Sequence, residues 1–296
     1  MKNHKNKSVI FYLSFSFLFF LVSHLNSSQQ EVTISIEKVA GDVFCLYGAG
    51  GNIGILEAKE GLLIVDSQYE RIANEILGEI KKISPKKILF LINTHYHGDH
   101  VQGNSVIGKD ARIISHKNCK DSYLKGKKPE ELETDKGVPQ ETYEKEMILD
   151  LGTETVKLLH FGPGHTSGDT VVVFEKSGVI HAGDLFFYGL PPYIDVEDGS
   201  DTGNWIKTIG KLAEKYPDFQ IIPGHGKITT MPEFMKFANY LRYLHNQVKT
   251  AIQAGKTKEQ TIESIDLTAY SHIQDQGEFL TKKKNIEWIF DELIRK

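Results

Sequence analysis

KKILFLINTHYHGDH, residues 86–100, divides into two unlike parts. Its first eight residues, KKILFLIN, form an apolar run of strand length without alternation, the pattern of a strand covered on both faces. Upstream, YERIANEILGEIKKI at 69–83 sets Ile72, Ile76, Leu77, Ile80 and Ile83 along one helical face, and Pro85 stops it. A helix feeding a fully covered strand points to layers of helix and sheet. Further upstream, residues 32–65 read as short strands broken by glycines, VTISIEKVA, DVFCLYGAG and NIGILEAKEGLLIVD, which predicts an antiparallel meander. Downstream, residues 125–146 are rich in Lys and Glu with two prolines and read as a solvated excursion. Then MILDLG, TVKLLHF, TVVVFEKSGVIHAGD and FQIIPGHG return to strand character. Helices are expected at 203–215 and 231–253, the second opening at Thr230, ending near Gly255, and burying Phe234, Phe237, Leu241, Leu244 and Val248. Two further helices are expected within 257–295. Two halves, each of strands followed by helices, predict sheet packed on sheet with helices outside.

The second part of the opening stretch carries the chemistry. Thr94-His95-Tyr96-His97-Gly98-Asp99-His100 places three imidazoles and a carboxylate within six residues of a strand end. Residues i and i+2 of an extended segment point the same way, so His95 and His97 can grip one cation. Gly98 lets the chain turn, so that Asp99 and His100 can face a second. Neutral imidazole and carboxylate suit zinc or iron rather than calcium or magnesium. Three later residues share one local grammar, a Gly-flanked polar residue at the end of an apolar strand: His165 in GPGHTSGD, Asp184 in HAGDLFF and His225 in IIPGHGK. With the first cluster they make seven ligands, enough for two ions. Asp66, at the end of LLIVD, and Asp169, four residues after His165, are candidates for orienting those ligands. His116 and His181 are surplus to the set and are read as structural. The aromatic residues Phe186, Phe187, Tyr188 and Tyr193 follow Asp184 and are candidates for roofing the ions, with core packing an equal reading for at least some of them, while Trp205 and Trp288 read as packing residues.

Joined in this order, the HxHxDH, GHTSGD, GD and PGHG motifs resemble the metallo-β-lactamase superfamily of hydrolases, over essentially the whole chain after its first 30 or so residues. The resemblance implies an α+β fold, a four-layer αββα sandwich of two mixed sheets flanked by helices. It implies that residues 31–254 form the metallo-β-lactamase-fold domain, and the helices expected after it make 255–296 a helical extension packed on that domain. It assigns His95, His97 and His165 to a first metal, Asp99, His100 and His225 to a second, and Asp184 to both. The implied cofactors are two zinc ions per chain, with iron or manganese as alternatives. The implied reaction is attack of a metal-bridged hydroxide on the ester, thioester or amide carbonyl of a small acyl substrate, with Asp99 orienting the nucleophile. The alternatives are a β-lactamase, a glyoxalase II-like thioesterase and an iron-dependent persulfide dioxygenase. Zinc β-lactamases of the best-known subclass carry Cys where this chain has Asp184 and lack His100; glyoxalase II enzymes resemble the full ligand set but usually carry His at the position of Asp169.

At 296 residues, with 40% hydrophobic and 25% charged residues, the chain can bury a large core and is not of disordered composition. Lys plus Arg is 35 against 39 for Asp plus Glu, a formal charge of −4, which argues against nucleic acid as a partner. Lys2, Lys5 and Lys7 precede an apolar run at 9–22 and small polar residues at Ser27 and Ser28, the shape of an export signal over 1–28. The run is short of the roughly 20 residues of a membrane span, so a retained anchor is the lesser alternative. The expected location is periplasmic or secreted, with membrane contact only through an uncleaved N-terminal segment. Cys45 and Cys119 permit at most one disulfide and exclude a cysteine-rich zinc module.

Overall fold

The computed structural model describes residues 32–295, so the expected signal or anchor at 1–28 lies outside the described residues. The first sheet runs in chain order through seven strands: β1 (Ser35–Ala40), β2 (Val43–Tyr47), β3 (Ile53–Glu57), β4 (Leu62–Val65), β5 (Ile88–Asn93), β6 (Arg112–His116) and β7 (Glu141–Tyr143). Strands β1 to β4 pair antiparallel as a meander, and β4 to β7 pair parallel. The switch in direction needs a crossover, and α1 (Ala73–Ile83) supplies it between β4 and β5. Two short helices, α2 (Gly98–Val101) and α3 (Asn104–Ile107), follow β5, and α4 (Lys117–Leu124) and α5 (Pro129–Thr134) follow β6.

The second sheet contains β8 (Glu146–Asp150), β9 (Thr155–Leu159), β10 (Val171–Phe174), β11 (Val179–His181), β12 (Gln220–Ile222) and β13 (Thr229–Thr230), ordered β13-β12-β11-β10-β9-β8. Only β11 and β12 pair parallel, across the crossover helix α6 (Thr202–Lys215). The long helix α7 (Met231–Gln253) follows β13, then α8 (Lys258–Ser264) and α9 (Lys282–Arg295).

Burial explains the layering. Cys45, Leu63, Val65, Ile92 and Ile114 of the first sheet meet Val156, Leu158, Val172 and Phe174 of the second in the central core. The outer face of the first sheet buries Ile55, Ile64 and Leu91 against Ile76 and Ile80 of α1. The outer face of the second buries Val171, Val173 and Ile180 against Trp205, Ile209 and Leu212 of α6 and Phe234, Leu241 and Leu244 of α7. Because both faces of β4 and β10 are covered, LLIV and VVVF carry no polar alternation. The result is an αββα sandwich. Cys45 and Cys119 are both buried free thiols.

The 125–146 stretch is largely exposed, as expected of a solvated excursion, but it is not without regular structure. It contains α5 and the parallel edge strand β7, and β8 starts at its end. An edge strand buries little, and in β7 only Tyr143 is buried, so its hydropathy looked like loop. Among the described residues no helix is long and apolar enough to cross a membrane.

Candidate metal centre

Four strands end at one rim of the sandwich, and each hands the chain to a polar loop. Past β5 come His95, His97, Asp99 and His100; past β9, His165; past β11, Asp184; past β12, His225. All seven candidate ligands converge there. His97 Nδ1 lies 3.0 Å from both His95 Nε2 and His165 Nε2, and Asp184 Oδ2 lies 3.7 and 3.5 Å from the same two atoms. Beside this group, His225 Nε2 is 3.2 Å from Asp99 Oδ2, and His100 Nε2 is 3.6 Å from it. Asp184 joins the two groups: Oδ1 is 3.1 Å from His100 Nε2, and Oδ2 is 3.5 Å from His225 Nε2.

These separations fit a cation in each group, because ligand atoms about 2.0–2.1 Å from a tetrahedral zinc stand about 3.3 Å apart. Two atoms make the fit stronger. His100 Nε2 and Asp184 Oδ1 are buried, face each other, and have no hydrogen bond of acceptable geometry. Buried polar atoms without partners are rare and call for an explanation, which an ion between them supplies. Glycine makes room for both: a Cβ at Gly51 would lie 2.1 Å from the His100 ring, and one at Gly224 would lie 2.0 Å from Asp184 Oδ1.

The far side of each imidazole decides which nitrogen faces inward. His100 Nδ1 donates to Asp66 Oδ2 at 2.7 Å. Asp66 also accepts from the Thr94 backbone N–H (2.8 Å) and hydroxyl (2.7 Å), and that hydroxyl lies 3.0 Å from His95 Nδ1. One buried carboxylate thus sets the tautomers of His95 and His100. It takes a left-handed conformation (φ 66°), which Asp tolerates better than most residues. His165 Nδ1 donates to the Tyr193 carbonyl (2.8 Å) and His97 Nε2 to Asp195 Oδ2 (2.9 Å). Asp169 acts at one remove: its carboxylate accepts from the backbone N–H of Gly164 and Thr166 and from the Thr166 hydroxyl, closing the loop that carries His165. Burial pushes its carboxyl up to about 7.

Charge separates the groups. Burial drives His95 well below the ordinary imidazole range and His165 down to about 4, so these rings are neutral. Burial opposes charge on His100 and His225 as well. Asp184, Asp99 and Asp66 nevertheless hold His100 well above its usual range, and Asp184 and Asp99 raise His225 to about 9. Asp184 itself, despite burial, is held far below the carboxylate range by His100, His225 and His95.

Sequence reading missed several supports. Asp195 accepts from Tyr96 Oη (2.5 Å) as well as from His97, and these bonds pull it down to about 2 against its burial. It sits in YIDVEDGSD, which reads as a surface turn. Asn52 donates to the carbonyls of Pro223 (2.8 Å) and Gly226 (2.7 Å), fixing the loop of His225 from the opposite sheet. Of the aromatic candidates, Phe186 is not a roof: it stacks on Phe234 in the core. Phe187 stacks on the His225 ring with centroids 5.1 Å apart, and Tyr193 lies 5.4 Å from the His97 ring. Trp205 is fully buried, and its indole N–H donates to the Leu185 carbonyl. His116 and His181 bond to the carbonyls of Glu144 and Asn52, and His181 Nδ1 also accepts from the Gly183 N–H beside Asp184; neither is part of the two candidate ligand groups.

Residues 46–225, more than half of the chain, match the sequence model of the metallo-beta-lactamase superfamily. The chain belongs to this superfamily. Metallo-beta-lactamase IND-1 of Chryseobacterium indologenes is 28% identical over 225 residues, covering 71% of this chain and 91% of its own. A probable metallo-hydrolase of Methanocaldococcus jannaschii is 27% identical over 198 residues, covering 62% and 90%. Among solved structures, a metallo-beta-lactamase from Pontibacter korlensis matches with a TM-score of 0.60 at 19% identity, over 71% of this chain and 99% of its own, a likeness of fold. Membership supports a metal-using hydrolase, typically with zinc, and the two His/Asp groups are where this superfamily member can hold metal.

Proposed function

We propose that the chain is a di-zinc hydrolase of small acyl compounds. The observation that carries this reading is the joining of two complete ligand groups by one buried carboxylate, Asp184. His95, His97 and His165 would hold one ion, Asp99, His100 and His225 the other, with Asp184 shared. Two such ions, when bound, polarise a carbonyl and lower the pKa of water to near neutrality.

The chain's own residues then divide the work. Asp184 is almost wholly shielded, with a side chain 4% exposed, whereas Asp99 is 23% exposed and faces solvent. Asp99 is therefore the carboxylate placed to orient an incoming water and accept its proton. Asp66 and Asp195 hold the imidazoles in the tautomers that direct lone pairs inward. Tyr193, beside His97, offers an apolar surface to the substrate.

An ester, thioester or amide carbonyl is the proposed target. β-Lactam hydrolysis is a second reading, favoured by the kinship with the IND-1 enzyme; Asp184, at the position where the family resemblance puts Cys in the best-known zinc β-lactamases, counts against it. Export is also proposed, on the N-terminal lysines and apolar run. Purified protein should be screened against β-lactam, thioester, lactone and phosphodiester substrates with and without chelator. One acyl class cleaved in a chelator-sensitive way supports the proposal. Oxygen consumption on a persulfide without hydrolysis would replace it with the dioxygenase.

A further inference from the structure

The supports of the first ligand group, Tyr193 and Asp195, lie on one loop between Asp184 and α6, and that loop is gripped from outside by the C-terminal helix. The buried Asn285 of α9 donates from Nδ2 to the Pro192 carbonyl at 2.6 Å, while its Oδ1 accepts from Tyr240 Oη of α7 at 2.8 Å. Trp288 packs edge-on against the Tyr193 ring, with centroids 5.0 Å apart. Glu292, 2% exposed, accepts from the Thr202 backbone N–H at 3.0 Å, the Thr202 hydroxyl at 2.9 Å and the Ser200 hydroxyl at 3.4 Å. Arg295 donates to the Val196 carbonyl at 3.1 Å. Within the loop, the Ser200 N–H donates to the Asp195 carbonyl at 3.0 Å and the Asp195 N–H to the His165 carbonyl at 3.2 Å. Both ends of the segment that turns His97 and His165 inward are thus fastened to α9.

The second group is fastened elsewhere. His100 depends on Asp66 at the end of β4, and the loop of His225 depends on Asn52 before β3. Neither support bonds to α9.

From this asymmetry we infer that α9 is a positioning element of the metal centre: through Asn285, Trp288 and Glu292 it sets the first ligand group and leaves the second alone. The inference rests on the two-ion reading above. Displacing loop 192–202 would turn His97 and His165 off axis without removing any ligand. Loss of such a supporting partner typically costs about 10–100-fold in metal affinity.

The test is calorimetric titration of chelator-treated full chain with zinc. In a His225→Gln background, where binding reports the first group, Asn285→Ala and Glu292→Gln should each weaken binding about 10–100-fold. In a His165→Gln background, where it reports the second, they should change it less than about threefold. Glu287→Gln, on the same helix, should change neither. Arg295→Ala removes a half-exposed side chain and leaves the core intact; it should weaken the first group by about threefold even if the buried variants do not fold. Equal weakening in both backgrounds, or none in the first, overturns the positioning role. A single zinc-binding step in the unmodified chain overturns the two-ion reading instead, and whether α9 variants weaken that step still decides the inference.

Discussion

The two ligand groups share Asp184 but differ in what surrounds them. His95 and His165 are sealed from solvent and neutral, and each ring of the first group has its outer nitrogen bonded. The second group is more open: Asp99 and His225 have side chains 23% and 25% exposed, and His100 and His225 are held protonated by carboxylates. His95 and His165 are thus ready to receive a cation without shedding protons. The second group must release protons as the metal enters, and its exposure leaves room for water and substrate. A rigid anchor beside an accessible reactive edge is a division of labour suited to hydrolysis.

The largest effect should come from removing what the groups share. Asp184→Asn should lower hydrolysis by on the order of 10³-fold and weaken zinc at both groups; retained affinity at either would show that Asp184 does not join them. Next, Gly51→Ala drives a methyl into the His100 ring, and the second group should lose zinc while the first keeps it, as read by titration in His165→Gln and His225→Gln backgrounds.

Smaller changes separate the supports. Asp195→Asn should weaken the first group by about 10–100-fold and spare the second. Asp66→Asn should weaken the second by a similar factor and disturb the first through Thr94 and His95. Identical metal profiles for these two variants would erase the distinction.

The smallest effect is on the pH dependence of metal-free stability. His165 has a folded value near 4 against 6.5 unfolded, so its contribution is lost as pH falls from 6.5 through 4. His225 is raised to about 9, so its contribution is present below 6.5 and lost as pH rises through 9. Thermal melts of chelator-treated protein should therefore fall off on both sides, with His165→Gln flattening the acid limb and His225→Gln the alkaline one. Both variants flattening the same limb would contradict the charge assignment.

The candidate ligands that the structure gathers into two groups stand out in the sequence because their signal is local: a strand end, small neighbours and a polar residue recur at His165, Asp184 and His225, and HxHxDH is dense enough to stand alone. The layered fold was legible for a similar reason, since strands covered on both faces become uninterrupted apolar runs. The supports were not. Asp195 meets His97 across 98 positions, Asn52 reaches Gly226 across 174, and Tyr193 acts through a backbone carbonyl that any residue could provide. Asp66 was readable as a strand-end acid, but only the fold shows that its partner is His100. The edge strand β7 escaped because a single buried side chain leaves no periodic trace.

Elemental analysis of the purified full chain, before and after chelation, decides whether the two joined groups hold zinc. About two zinc ions per chain are expected, lost to chelator together with hydrolytic activity and regained with it on zinc addition. A single iron accompanied by oxygen consumption, or no bound metal and no uptake of added zinc, would contradict it.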